Sequence, residues 1–309
     1  MITSIFKRST PFNFIVFLIL ITVVFTVFNY PTDKQVINLL FLRNKAVVLF
    51  LFFGTFFLIN FIVKKNTLTK NSDYAVLFFF LFLLFFPAVL SNFNLVFSNL
   101  LVLLALRRLY SMPTLKVSKE KIFDASLYIC LASIFQFWSI LFLSVVFVSV
   151  IFYVARDYRH WFLPFVGMAT AAILLVLYGL IIDKLIFLNY IKNAHIDVDF
   201  TYFKNNYQNL ALSIFTVVAV FYMVSLVLAL PTKPLNKKAA YKQSIFTFLV
   251  AVLVFIFSTN KSNEILLFSF FPLAIMATSD IEQYANTTRS TVILFIVVAL
   301  AAVCFFTQL

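Results

Sequence analysis

The sequence predicts an all-α fold, a polytopic bundle of about eleven transmembrane helices. Three observations lead there. Hydrophobic residues make up 63% of the 309 and charged residues only 11%, against about 25% charged in soluble domains; mean hydropathy is +1.05. A soluble chain of this size could not hide so much apolar surface, so lipid is its natural solvent. Apolar runs near the roughly 20 residues that span a bilayer recur from end to end. Lysine and arginine gather in the short connections between those runs, as the positive-inside rule and anionic headgroups favour.

The first run, Phe12–Phe28, follows a basic start but is longer than a signal core. NYPTDK follows it rather than a small-x-small cleavage site, so it reads as a retained helix. Next come Ala46–Val63, Tyr74–Leu90 and Phe93–Leu106. The stretch Ile122–Val154 is too long for one pass and barely long enough for two. Trp161–Ile182, Leu210–Leu230, Ser244–Phe257, Ile265–Thr278 and Thr291–Phe306 complete the series. No linker rich in Gly, Pro or Ser divides the chain, which reads as one domain over residues 1–309.

Positive charge decides the ambiguous stretch. If Ile122–Val154 crosses twice, 17 Lys and Arg fall on the side of the N-terminus and 7 on the other; if it crosses once, the split is 14 to 10. The rule favours two passes, a tight hairpin turning near Phe135–Ser139, where Trp138 prefers the interface and Gln136 avoids the lipid core; a re-entrant pair of half-helices is the alternative. The expected topology is that of a bacterial inner (cytoplasmic) membrane protein, N-terminus cytoplasmic and C-terminus periplasmic.

Composition also excludes. The net charge of +13 follows the loops and forms no basic-aromatic nucleic-acid surface. Cys130 and Cys304 sit in apolar runs, and His160 and His195 are too few for a multi-histidine centre. With three glycines no phosphate-cradling loop can form. No metal and no cofactor are expected. The 44 phenylalanines are spread through every segment without spacing and read as apolar filling. Between helix ends there is essentially no ionisable residue, and helix breaks are few (Pro87, Pro164, Pro272), which weighs against an ion-coupled transporter.

Candidate chemistry lies in the outer connections. Asp33 follows the first helix, with Arg43 in the same connection. The longest outer segment, Asp183–Asn209, carries Lys184, Lys192, His195, Asp197, Asp199 and Lys204. A carboxylate at the interface could activate a sugar hydroxyl while a cation pairs with a lipid phosphate. The long segment reads either as an interfacial helix anchoring the bundle or as the lid of an aromatic-lined groove for a prenyl or acyl chain. On the inner side, LRRLYS and ARDYRHW read as topological anchors, and Asp280 with Glu282 as a solvated acidic pair.

The central stretch, from NFNLVFSNLLVLLALRRLYSM through KIFDASLYICLASIFQFWSILFLSVVFVSVIFYVARDYRHWFLPFVGM, resembles an uncharacterised family of multispanning inner-membrane proteins of the Bacteroidota. It is similar in layout to the GT-C superfamily of polyprenyl-dependent glycosyltransferases and to EpsG/Wzy-like polysaccharide proteins. The resemblance covers about a quarter of the chain and implies a GT-C-like scaffold, with Asp33 at the place of the first-loop catalytic acid and a polyprenyl-phosphate ligand. Two departures stand out: the first loop is short with one acid, and no large outer C-terminal domain follows. The expected function is therefore envelope glycoconjugate biogenesis, by transfer from a polyprenyl-phosphate carrier or as a non-catalytic relative. Alternatives are a membrane subunit that docks a partner protein in an export or motility complex, and a small-solute or lipid transporter.

Overall fold

The computed structural model describes residues 6, 7, 9–30, 39–70, 72–114, 116–181, 190, 194–196, 206–259, 261–283 and 288–309. Among these residues the fold is all-helical, with eleven α-helices and no strand. They are α1 (Pro11–Phe28), α2 (Leu39–Lys65), α3 (Tyr74–Phe85), α4 (Phe93–Tyr110), α5 (Ser118–Phe135), α6 (Leu143–Tyr153), α7 (Arg159–Ile181), α8 (Asn206–Ala229), α9 (Leu235–Phe257), α10 (Leu267–Gln283) and α11 (Thr288–Thr307). Eight helical spans are long and apolar enough to cross a bilayer. The chain is a multi-pass membrane protein.

Local chemistry sets the helix ends. Thr10 caps α1 by accepting the Asn13 N–H at 3.3 Å, and Pro11 occupies the first turn, where its missing N–H costs nothing. Asn92 caps α4 by accepting the Leu95 N–H. The expected helix Tyr74–Leu90 stops at Phe85 instead. Pro87 drives Phe86 out of the helical region (φ −135°, ψ 72°), and residues Pro87–Ser91 continue as a 3₁₀ turn. Conversely, α9 begins at Leu235, well before the expected Ser244, because Lys and Ala in LNKKAAYKQS are good helix formers and carry the helix into the headgroup region.

Two helices form the centre. YAVLFFFLFLLF of α3 is apolar all round and almost wholly buried, as is α10. Phe78 and Phe82 of α3, Phe215 and Tyr222 of α8 and Phe270 of α10 pack edge-on or tilted with centroids 5.5–6.1 Å apart. Helices α1, α7, α8 and α11 surround this core and leave one apolar flank open to lipid.

Ile122–Val154 folds as two helices joined by a turn. Helix α5 ends at Phe135, Gln136 turns extended (φ −134°, ψ 101°), and a 3₁₀ turn Phe137–Phe142 leads into α6. The C-terminus of α6 returns to the start of α5, where Tyr153, Val154 and Ser118 line one cleft. Gln136 stays polar-paired, donating to Ser258 Oγ at 3.1 Å. Trp138 is buried against Phe257 rather than standing at the interface. Helix α4 runs antiparallel to α5, joined by Ser98 Oγ to the Ala132 carbonyl (3.0 Å) at one end and Arg108 to Asp124 (2.7 Å) at the other. Helix α7 runs parallel to α5, with Gly167 against Ser126.

The interhelical polar contacts fall into two sets. One joins residues near 10–13, 64–73, 107–124, 157–160, 225–244 and 280–289. The other joins 92 with 264, 136 with 258, 208 with 263 and 85 with 308. Successive helix ends thus alternate between the two sets. The first set is the basic face.

Candidate functional site

Three carboxylates are buried at the basic face: Asp73, Asp280 and Glu282. A buried carboxylate is costly unless paired and hydrogen-bonded, and each is. Asp73, at the start of α3, accepts from the Thr10 N–H (3.2 Å) and Asn13 Nδ2 (3.1 Å) and lies 3.4 Å from Lys64 Nζ. It ties α1 and α2 to α3. Asp280 and Glu282 sit in the last turn of α10, two residues apart. At about 100° per residue they point to nearly opposite sides of the helix. Asp280 accepts from Ser225 Oγ on α8 and lies 3.6 Å from Arg289 Nη2 on α11. Glu282 accepts from the Lys70 N–H (2.7 Å) and Ser72 Oγ (2.6 Å), while its own carbonyl accepts from Lys70 Nζ (3.0 Å). One helix end thus anchors α8 and α11 on one side and the α2–α3 connection on the other.

Beside Glu282 opens a cleft of about 310 Å³ lined by Lys70, Lys233, Lys237, Tyr241 and Gln283. Lys233 lies 5.5 Å from the Tyr241 ring and donates to Gln283 Oε1 at 3.4 Å. Burial holds its ammonium below the usual lysine range, with Glu282 opposing. The cleft shares Thr232 and Gln283 with a groove of about 470 Å³ on the flank of α8. Val220, Phe221, Val224 and Leu228 line that groove, together with Ser225 and Arg289. An apolar groove that adjoins a lysine-lined cleft suits an amphiphile with an anionic head.

A family model matches residues 1–309. The chain belongs to the DUF6427 family, a family of unknown function. No curated protein and no solved structure matches it.

The opposite face has its own polar set in this DUF6427 protein. Glu264 accepts from Asn92 Nδ2 at 2.8 Å, and Asn263 Nδ2 donates to the Gln208 carbonyl at 3.0 Å. A slot of about 230 Å³ between α5 and α7 is lined mostly by small and apolar residues, among them Cys130, Ala171 and Ala172, together with Tyr190. The Tyr190 and Ser133 hydroxyls are 3.1 Å apart.

Of the residues singled out in the sequence, Asp33, Lys184, Lys192, Asp197, Asp199 and Lys204 lie outside the described residues. Arg43, in the first turns of α2, and His195 are exposed. The described structure joins neither to another candidate. Asp280 and Glu282 are a correction: they are buried helix-end anchors, not a solvated pair, because α10 runs on to Gln283 with the basic-face connections folded over it. The LRRLYS pair also does more than anchor. Arg108 pairs with Asp124 at 2.7 Å, and Arg107 stacks 4.5 Å over Phe61. Two acids at the end of an otherwise uncharged helix, ATSDIEQ, were the available signal, since a carboxylate carried that far by an apolar helix must meet a partner. Among the described residues no group of three or more His, Cys, Asp or Glu could hold a metal.

Proposed function

We propose that this DUF6427 protein is a single-domain, multispanning inner-membrane protein of the Bacteroidota that binds an anionic polyprenyl-phosphate carrier in envelope glycoconjugate biogenesis. The observation that carries the reading is the continuity of the apolar groove on α8 with the lysine-lined cleft beside Glu282. The prenyl chain lies along Val220, Val224 and Leu228 and enters laterally from lipid. The phosphate meets Lys70, Lys233 and Lys237. The GT-C-like version of this reading adds transfer chemistry on the opposite face, with Asp33 as base and Arg43 as partner for the phosphate of a second carrier bound there. A photoactivatable polyprenyl phosphate separates the parts. Crosslinks are expected on α8 and around Lys233, reduced about tenfold in Lys233→Ala/Lys237→Ala, in line with losing two charge-assisted contacts. Asp33→Asn should leave the crosslinks intact and abolish glycan transfer. Even labelling of the lipid-facing flanks of α1 and α7, indifferent to the lysines, would remove the carrier reading. Normal glycan transfer by Asp33→Asn would remove the catalytic version alone.

The charge split favours a cytoplasmic basic face, N-terminus and α4–α5 connection and a periplasmic C-terminus, and we propose that orientation. Cys130 and Cys304 are buried, so single cysteines report cleanly. In intact cells an impermeant maleimide is expected to label exposed Ser91→Cys and His195→Cys but spare Lys116→Cys and Lys119→Cys. The reverse pattern would invert the topology.

A further inference from the structure

A second constellation on the basic face shares no lining residue with the carrier groove. It arises from the way α5, α6 and α7 meet. The hairpin returns the end of α6 to the start of α5, and the parallel pairing of α7 with α5 sets their two N-termini side by side. Ser118 opens α5, His160 stands in the first turn of α7, and Asp157 lies in the turn between α6 and α7. Ser118 Oγ is 2.8 Å from His160 Nε2, and Asp157 Oδ2 is 3.2 Å from His160 Nδ1. The second contact has pairing distance without hydrogen-bond alignment, the loose geometry usual before substrate binds. Asp157 is itself fixed, because its Oδ1 accepts the Arg159 N–H at 3.0 Å.

Three further features mark the place as more than a helix staple. The three groups line one open cleft of about 550 Å³. Val117, just before the serine, is left-handed (φ 54°, ψ 40°), which a β-branched residue rarely adopts; functional sites are where such strain collects. The first hydrogen-bonded helical N–H of α5 is that of Lys121, to the Val117 carbonyl, so the N–H groups of 118–120 have no acceptor within the helix. Those donors stand beside the serine, where an oxyanion would form.

We propose that Ser118, His160 and Asp157 form an acyl-transfer site for carboxylic esters of membrane amphiphiles. The cleft indicates the substrate: Ile151 and Phe152 offer an apolar wall at the lipid border, and Arg156 a cation for an anionic head. Ser118 Oγ bonds to the ester carbonyl carbon while its proton passes to His160 Nε2. The ester C–O bond then breaks, and the leaving alkoxide takes that proton. Water repeats the sequence: its oxygen bonds to the acyl carbon, its proton passes through His160, and Ser118 leaves with it. The net reaction is ester and water to acid and alcohol. Asp157 is a positioning residue that orients the imidazole and stabilises its protonated form.

The test uses the full chain in gentle detergent and an alkyl fluorophosphonate, whose adduct is located by mass. Stoichiometric phosphonylation of Ser118 is expected in the wild-type protein. The inactivation rate should fall by at least about a hundredfold in His160→Asn, the usual contribution of a general base. Asp157→Asn should lower kcat for 4-nitrophenyl octanoate and leave KM unchanged, which a purely structural residue would not do. Octanoate should be preferred to acetate. Failure of the wild-type protein to label at Ser118 would overturn the proposal without relying on any variant. Labelling of Ser118 at the same rate in His160→Asn would also overturn it. Either result leaves the carrier groove standing, since that site is read by crosslinking on α8.

Discussion

Gly167→Ala is expected to loosen the α5–α7 pair and lower the stability of the folded protein by about 1–3 kcal/mol, the usual cost of overpacking. A methyl group at this position would lie 2.1 Å from Ser126 Oγ, 2.9 Å from Ser126 Cβ and 3.2 Å from the Leu127 amide nitrogen. The serine hydroxyl cannot step aside freely, because it donates to the Ile122 and Phe123 carbonyls at 2.9 and 2.8 Å. Turning it away forfeits those bonds and still leaves the Cβ and backbone contacts. The helices must therefore separate by several tenths of an ångström. Because α7 carries His160 only two turns away, the same shift should lengthen the Ser118–His160 contact of 2.8 Å. The expected outcome is a lower unfolding midpoint and a slower reaction of Ser118 with fluorophosphonate. Adding Ser126→Gly, which removes both the hydroxyl and the Cβ, should restore much of the loss. A Gly167→Ala protein as stable as the parent would mean that the two helices do not approach as closely as described.

How much of this was legible in the sequence depends on the range of the interaction. Helix existence is a property of local composition. Every expected apolar segment forms helix over most of its length, and Ile122–Val154 breaks at Gln136 near the turn expected for it. Helix ends depend on single residues: Pro87 cut α3 short, whereas the lysine-rich start of α9 continued its helix. Burial of charge was signalled only by two acids at the end of an apolar helix, and its partners were not legible. TSDIEQ looks like the solvated end of a helix until α8, α11 and the α2–α3 connection are folded over it, and those partners lie 55, 9 and about 210 residues away. The Ser118–His160–Asp157 constellation was hidden for the same reason. Its serine is 42 residues from its histidine, and only the parallel packing of two non-adjacent helices makes them neighbours. Of the carboxylates and cations expected around Asp33 and Asp183–Asn209, the described residues include Arg43 and His195, both exposed, and an exposed side chain has no packing pattern in the sequence that tells what it meets.

Glu282→Ala should be the most damaging single change at the basic face. Its carboxylate is the acceptor for two donors held by the 70–72 segment, the Lys70 N–H and Ser72 Oγ. Alanine leaves Ser72 Oγ without that acceptor in a buried setting, where an unsatisfied group costs about 1–3 kcal/mol, and the Lys70 N–H without it in a part-buried one. It also leaves Lys70, Lys233 and Lys237 around a cleft that has lost its lining carboxylate. A loss of about 2–4 kcal/mol is expected, at the lower end because water reaches the cleft and screens the lysines. Glu282→Gln separates the two contributions. Its amide oxygen can still accept from one donor, so packing and part of the hydrogen bonding survive while the charge goes. If hydrogen bonding dominates, Gln should retain more than half of the stability that Ala loses. If charge balance dominates, Gln should resemble Ala, and an anionic amphiphile should restore its stability by supplying the missing negative charge between the lysines. Unfolding midpoints of the two variants, with and without an anionic lipid in the detergent, distinguish the cases. An alanine variant as stable as the wild type would show that Glu282 does not hold the α2–α3 connection to α10.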